Sequence, residues 1–315
     1  MNRFQFRRGA LALAGLWIAS HPVGAAQAQS AATSVLDETI PPGNNFDKAE
    51  FRFWYPRDAG ALRGALILVP GSNGDGRAQA EDTVWQAFAT KQKLAIVGVR
   101  FTDKPHDQNF IEDYVNVSKG SGQALLDVLG KFASRSQHPE LANAPLLFWG
   151  MSAGGQFNYE FAAWKPERVI AFVVNKGGIY YTALTPRATR EVPALLFIGG
   201  KDLESRVSTI TGLFALNRRG GALWALTEEP AAGHIVGRSR DMSIIFFDDV
   251  LAMRLVDASS PLKPLTEKSG FIGDPKAKTV QPVGESPAPN YPTGWLPSER
   301  VAKAWQAMVS ERPFP

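Results

Sequence analysis

Short apolar runs alternate with segments of helical periodicity through the middle of the chain. Phe51, Phe53 and Tyr55 are interleaved with Arg52 and Trp54, a period-two pattern that predicts a strand. Residues 64–70 (Gly-Ala-Leu-Ile-Leu-Val-Pro) form a continuous apolar run of the kind buried on both faces of a parallel sheet. Strand-like runs recur at residues 94–99, 146–149, 169–174, 194–198 and 222–226. Helices are predicted between them over residues 79–91, 111–132 (with a break near Gly120-Ser121-Gly122), 156–164, 208–217 and 242–255. This alternation predicts an α/β protein with a mostly parallel, doubly wound sheet and helices on both faces. No internal repeat and no second domain pattern is visible.

The two ends depart from this rhythm. Arg3, Arg7 and Arg8 precede an apolar stretch at residues 10–19 and a small-residue site, Ala26-Gln27-Ala28. Together they predict a signal peptide over residues 1–28, and with it export to the periplasm or beyond. The apolar stretch is too short to span a bilayer. Arg7-Arg8 resembles a twin-arginine signal, although Phe6 precedes the pair and Ala10 stands at the usual aromatic position. Residues 29–49 are polar and contain Pro and Gly, which predicts a loosely packed lead-in to a main domain over residues 29–256. Prolines recur from Pro261 to Pro297 and forbid a long helix there. A short amphipathic helix is predicted from Ser298 to about Val309, with Trp295, Leu296 and Trp305 to bury. Residues 257–315 thus read as an extension packed on the main domain, or else as an appendage that contacts a polymer or cell surface.

Composition narrows the chemistry. A hydrophobic content of 44% and a charged content of 20% describe an ordinary globular chain. Residues 1–28 carry three Arg and no acid, so the formal charge of +4 becomes +1 (4 − 3) without them. Without the leader nothing suggests the basic face that nucleic acid or an anionic membrane requires. The chain has no cysteine, which excludes disulfides, thiolate-bound metals and a thiol nucleophile.

The run at 146–149 ends abruptly in Gly150-Met151-Ser152-Ala153-Gly154, and helix-forming residues follow. G-x-S-x-G between a strand and a helix lifts a serine hydroxyl out of the sheet on a strained turn. A serine hydroxyl needs a base, and the base needs an orienting carboxylate. Outside the leader there are three histidines. His106 and His138 lie in polar turns and read as surface residues. His234 lies in Ala231-Ala232-Gly233-His234, after the last predicted strand and before the last predicted helix, where a flexible loop brings an imidazole over the sheet edge. Asp202 follows the strand at 194–198 directly. A strand-end Asp is also a common helix cap, and Glu204 is a near rival. Asp241, Asp248 and Asp249 come after the histidine and fit helix-surface or cap roles. The order Ser152, Asp202, His234 is that of the α/β-hydrolase arrangement. The oxyanion hole needs the Ala153 amide and a second amide from the loop after residues 64–70, where Gly71 and Ser72 are placed. Asn73 is either a side-chain donor there or part of an ordinary turn.

On these motifs the chain resembles α/β-hydrolase-fold serine esterases, the broad group that includes polyhydroxybutyrate depolymerases, feruloyl and acetylxylan esterases and dienelactone hydrolases. The resemblance covers residues 50–256. It departs at Pro70-Gly71, where many relatives have His-Gly, and in lacking the cysteine nucleophile common among dienelactone hydrolases. It implies an exported hydrolase of small or polymeric carboxylic esters that works through an acyl-enzyme intermediate. No metal or organic cofactor is implied. Residues 179–193 are too few for a helical cap, so an open cleft is expected. Tyr180 and Tyr181 are expected to line it as substrate contacts, with Trp149 or Phe157 as further candidates, although an aromatic near a sheet end is also a common core residue. A peptidase or amidase with the same triad, and a silent binding protein that kept the fold, are the alternatives.

Overall fold

The computed structural model describes Met1 and residues 34–108, 111–256, 260–284 and 291–315, and Ser34–Pro315 forms one compact unit. The predicted signal peptide lies outside the described residues. In chain order the elements are β1 (Val35–Ile40), β2 (Lys48–Trp54), β3 (Gly64–Val69), α1 (Thr83–Gln92), β4 (Leu94–Thr102), α2 (Ser121–Ser136), β5 (Leu146–Gly150), α3 (Ala153–Trp164), β6 (Val169–Asn175) and α4 (Arg187–Arg190). They continue with β7 (Ala194–Gly199), α5 (Glu204–Arg219), β8 (Trp224–Glu229), α6 (Ser239–Arg254), β9 (Phe271–Asp274), β10 (Thr279–Pro282), β11 (Gly294–Leu296) and α7 (Glu299–Val309).

Eight strands form one sheet in the order β1-β2-β4-β3-β5-β6-β7-β8. The pairs β1–β2 and β2–β4 are antiparallel and all the others parallel. Every residue of β3, β5, β6 and β7 is buried, because helices cover both faces. Side-chain alternation divides the core in two. Ala65, Ile67 and Val69 pack with α2, α3 and α5 on one face, whereas Leu66 and Leu68 pack with α1, α6 and α7 on the other. The chain runs from β3 outward to β4 and returns across to β5, so the carboxyl ends of β3 and β5 flank a topological switch point. Open α/β sheets bind their ligands in that crevice.

Several sequence expectations need correction. The lead-in is not loose: residues 35–40 form an edge strand, and Asp37 meets Arg52 of β2 through two hydrogen bonds of 2.9 and 2.8 Å. The helix expected over 111–132 begins only at Ser121 and runs to Ser136. Residues 113–119 form two single 3-10 turns instead. There Asn45 donates to the carbonyls of Asp113 and Asn116 at 2.9 Å and accepts from the Ser121 amide at 3.0 Å, replacing helical partners. Residues 77–81 likewise form a 3-10 turn, and α1 starts behind Asp82, which caps the amides of Val84 and Trp85. The run predicted as a strand at 222–226 forms a strand at 224–229.

In the tail, Ser298 caps α7 as the sequence suggests, but β9, β10 and β11 add an antiparallel sheet that no pattern announced. Trp305 is fully buried, and its indole donates to the Leu226 carbonyl of edge strand β8 at 2.9 Å. Asp248 is not a surface residue: it is buried and accepts from Lys91 and Gln92 of α1, both at 2.7 Å. No helix among the described residues is long and apolar enough to cross a membrane.

Candidate active site

The turn after β5 carries Ser152 at φ 55° and ψ −125°, a conformation rare for a residue with a Cβ. The neighbours hold it there. Met151 bridges to Asn175, and the Ser152 amide donates to the Asn175 carbonyl at 2.8 Å. Gly154 lets α3 start directly against the end of β3, since a Cβ on it would lie 2.1 Å from the Val69 carbonyl oxygen. Ser152 itself is half-buried. Ala153 opens α3, so its amide has no helical carbonyl to bond and is left for another acceptor.

Gly71 passes beside the serine, with 3.5 Å between the Cβ position of residue 71 and that of Ser152. The loop turns at once: the Gly74 amide donates to the Gly71 carbonyl at 2.9 Å, and Asn73 takes a left-handed φ of 53°. Asn73 is committed to this turn. Its side chain accepts from the Asp103 amide at 2.7 Å, and its own amide donates to the Tyr114 hydroxyl at 3.2 Å. Ser72 and Asn73 border a polar hollow of about 470 Å³ with Asp103, His106 and Glu112. Gly71 and Met151 border a second hollow, of about 520 Å³, whose walls include Pro70, Trp85, Trp149 and Val236.

Asp202 and His234 come together after β7 and β8. The Lys201 amide donates to the Ala232 carbonyl at 2.9 Å, which ties the two loops. His234 Nδ1 lies 2.9 Å from Asp202 Oδ2. The other carboxylate oxygen accepts from the Leu203 amide at 2.7 Å and from Arg206 at 3.0 Å. The Asp202 side chain is 2% exposed and that of His234 29%. Burial by itself would raise the Asp202 carboxyl, but the bonds from His234, Leu203 and Arg206 outweigh it and hold the group below the ordinary value. Glu204, the rival acid, is exposed in the first turn of α5, where a negative charge suits the helix end. His106 is an exposed neighbour of Asp103 at 3.7 Å. His138 is less exposed than a surface role implies; it bonds Glu140 at 2.9 Å and its ring packs on Tyr55.

The aromatic candidates separate. Trp149 lines the second hollow, whereas Phe157 is fully buried in the core. Tyr180 packs edge-on against Tyr159 and its hydroxyl is buried. Tyr181 is exposed and lines another hollow with Asn116, Val117 and Trp164. Sequence reasoning missed Arg206, which sits one helical turn beyond Asp202, and a buried pair behind the histidine loop, Lys176 and Glu229. Among the described residues no group of three or more His, Asp or Glu is placed to hold a metal ion.

No protein-family model matches the chain, and no curated protein matches it in sequence. A similar solved structure is that of LpqC, a poly(3-hydroxybutyrate) depolymerase from Bordetella parapertussis, with a TM-score of 0.50 and 17% identity over 72% of this chain and 92% of that one. Another is a thermostable esterase, with a TM-score of 0.47 and 14% identity over 62% of this chain and 54% of that one. At such identity the first likeness speaks to the fold, and the sheet order agrees with it: the chain has the α/β-hydrolase fold.

Proposed function

We propose that the protein is a serine hydrolase of carboxylic esters. The observation that carries this reading is the 2.9 Å bond between His234 Nδ1 and Asp202, on the same sheet edge as a serine held at φ 55°. Asp202 accepts a hydrogen bond from the Nδ1–H of His234, which fixes the tautomer and leaves Nε2 as the basic nitrogen. Ser152 Oγ attacks the ester carbonyl carbon while its proton passes to Nε2, and the carbonyl π electrons move to oxygen. The amides of Ala153 and Ser72 stabilise that oxyanion, a contribution of about 2.7–4 kcal/mol per donor in comparable sites. Collapse of the intermediate breaks the bond to the alcohol oxygen, which takes the proton from the imidazolium. Water, deprotonated by the same imidazole, then attacks the acyl carbon; the bond to Oγ breaks, Oγ takes the proton back from the imidazolium, and the acid leaves.

The apolar hollow beside Gly71 and Met151 is the side on which we place the acyl chain, and the polar hollow beside Ser72 receives the alcohol moiety. The likeness to a poly(3-hydroxybutyrate) depolymerase supports small or polymeric esters as substrates. Export follows from the leader at residues 1–28. The test is Ser152→Ala. It should abolish hydrolysis of p-nitrophenyl acetate and labelling by a fluorophosphonate probe while the melting temperature stays within a few degrees. Full turnover by this variant would sink the mechanism.

A further inference from the structure

Lys176 is fully buried and takes no part in the chemistry above, yet it lies between the nucleophile turn and the histidine loop. It follows β6 in the left-handed region, at φ 57°, although it has a Cβ. Its ammonium donates to Glu229 Oε2 at 2.9 Å, to the Ile235 carbonyl at 2.9 Å and to Asn175 Oδ1 at 3.2 Å. Each of its three protons therefore has an acceptor. Glu229 ends β8, and its second oxygen accepts from the Arg238 amide at 2.7 Å. Residues 235 and 238, which follow His234, are thus fastened to one buried ion pair.

The fit around this pair is close. Gly237 has φ 56°, and a Cβ there would stand 2.3 Å from both carboxylate oxygens of Glu229. On the other side Asn175 accepts the Ser152 amide through its carbonyl and donates from its side chain to Ser239 Oγ at 2.7 Å. The consecutive residues Asn175 and Lys176 therefore hold the serine turn and the histidine loop at a fixed separation. A buried ion pair is a poor source of stability, because desolvation offsets its attraction and apolar replacements often serve as well. Its particular product is position. Loops lack the ladders that fix strands, and catalytic groups work only within about 0.5 Å of their productive geometry.

We propose that Lys176, through Glu229 and the Ile235 carbonyl, is a positioning residue that sets His234 against Ser152. This rests on reading Ser152, Asp202 and His234 as the triad. The test compares wild type with Lys176→Met, which keeps the length of the side chain, and with the double variant Lys176→Met/Glu229→Gln, which leaves no charge buried. A misplacement of about 1 Å costs roughly 100-fold in rate. Expected in both variants is a kcat for p-nitrophenyl acetate lowered roughly 10- to 100-fold, with KM changed less than about twofold. Fluorophosphonate labelling of Ser152 should slow in parallel, and amide exchange at residues 235–238 should quicken while β5 and β6 stay protected. A purely structural role predicts unaltered kcat in whichever variant folds, and that result overturns the proposal. If neither variant folds, the pair serves stability and the proposal falls. Wild type that neither turns over ester nor takes up the probe would remove the triad reading and the positioning role together, whereas active wild type with an unaffected kcat in Lys176→Met would remove only the latter.

Discussion

Asp202→Asn is the sharpest perturbation, because the surroundings decide how the new amide must lie. Asp202 Oδ1 accepts from the Leu203 amide at 2.7 Å and from Arg206 at 3.0 Å, while Oδ2 faces His234 Nδ1 at 2.9 Å. An asparagine there has one acceptor and one donor. Turning its NH2 toward Leu203 and Arg206 would set donors against donors and leave both unpaired, at about 1–3 kcal/mol each. Its oxygen therefore keeps those two bonds, and its NH2 must face Nδ1. Nδ1 then accepts, the ring proton moves to Nε2, and the base has no lone pair for the serine proton. In a triad so disturbed kcat falls about 10⁴-fold, equivalent to about 5.4 kcal/mol in the barrier. The assay is steady-state hydrolysis of p-nitrophenyl acetate at neutral pH, with KM expected to change little. Stability carries a second readout. The folded carboxyl lies below its ordinary value of 3.8, so its contribution is present above that value and is lost as pH falls through the folded pKa. Wild type should therefore lose its stability advantage over Asp202→Asn only below about pH 4. A folded Asp202→Asn protein with kcat within tenfold of wild type would refute the reasoning about both tautomer and triad.

Two further predictions address the scaffold. Glu160 is 5% exposed and accepts from the amides of Tyr181 and Thr182 and from the Thr182 hydroxyl. Burial raises its carboxyl above the ordinary 4.5, and those three bonds do not cancel the rise. The folded state thus holds this proton more tightly than the unfolded chain does. The resulting stability is complete below the ordinary value and is lost as pH rises through the folded one. Glu160→Gln removes the charge while its oxygen keeps the two amide bonds and its NH2 donates to the Thr182 hydroxyl, so its melting temperature relative to wild type should rise from pH 4 to pH 8; a relative fall would count against the assignment. Trp305→Ala removes a fully buried indole and strands the Leu226 carbonyl, at about 3–5 kcal/mol for the side chain. Urea unfolding measures this, and a loss under 1 kcal/mol would mean that α7 is not part of the core.

The central strands were legible because helices cover both faces, and burial on both faces writes a continuous apolar run such as residues 64–70. Ser152, Asp202 and His234 stand out as candidates for a related reason: each follows such a run, and strand ends are where an open sheet exposes its loops. What stayed hidden depended on partners far along the chain. Strand β1 is a half-exposed edge whose order owes much to Arg52, and the false helix at 111–120 is set by Asn45. Strand β9 and its neighbours have no apolar run of their own. Lys176 and Glu229 stand 53 residues apart, so neither alone announces a pair. For Tyr180 the sequence carries no distinction, because an aromatic at a strand end looks the same whether it faces a ligand or packs on a neighbouring ring, as Tyr180 does on Tyr159.

The site is thereby a property of the sheet more than of any loop. Strands β5, β6, β7 and β8 lie side by side, and each loop after them is bonded to the next. The Ser152 amide reaches Asn175, the Lys176 amide reaches Phe197, the Gly200 amide reaches Glu229 and the Lys201 amide reaches Ala232, all within 2.8–3.0 Å. Residues distant in sequence are thus set in one row by strand order alone. The two departures from regular backbone in that row, Ser152 and Lys176, both have left-handed φ and a side chain. Such conformations persist only where the surroundings over-determine them. In this row the first carries the candidate nucleophile and the second reaches back to hold the loop carrying His234, which is the economy expected if reactivity depends on the distance between them.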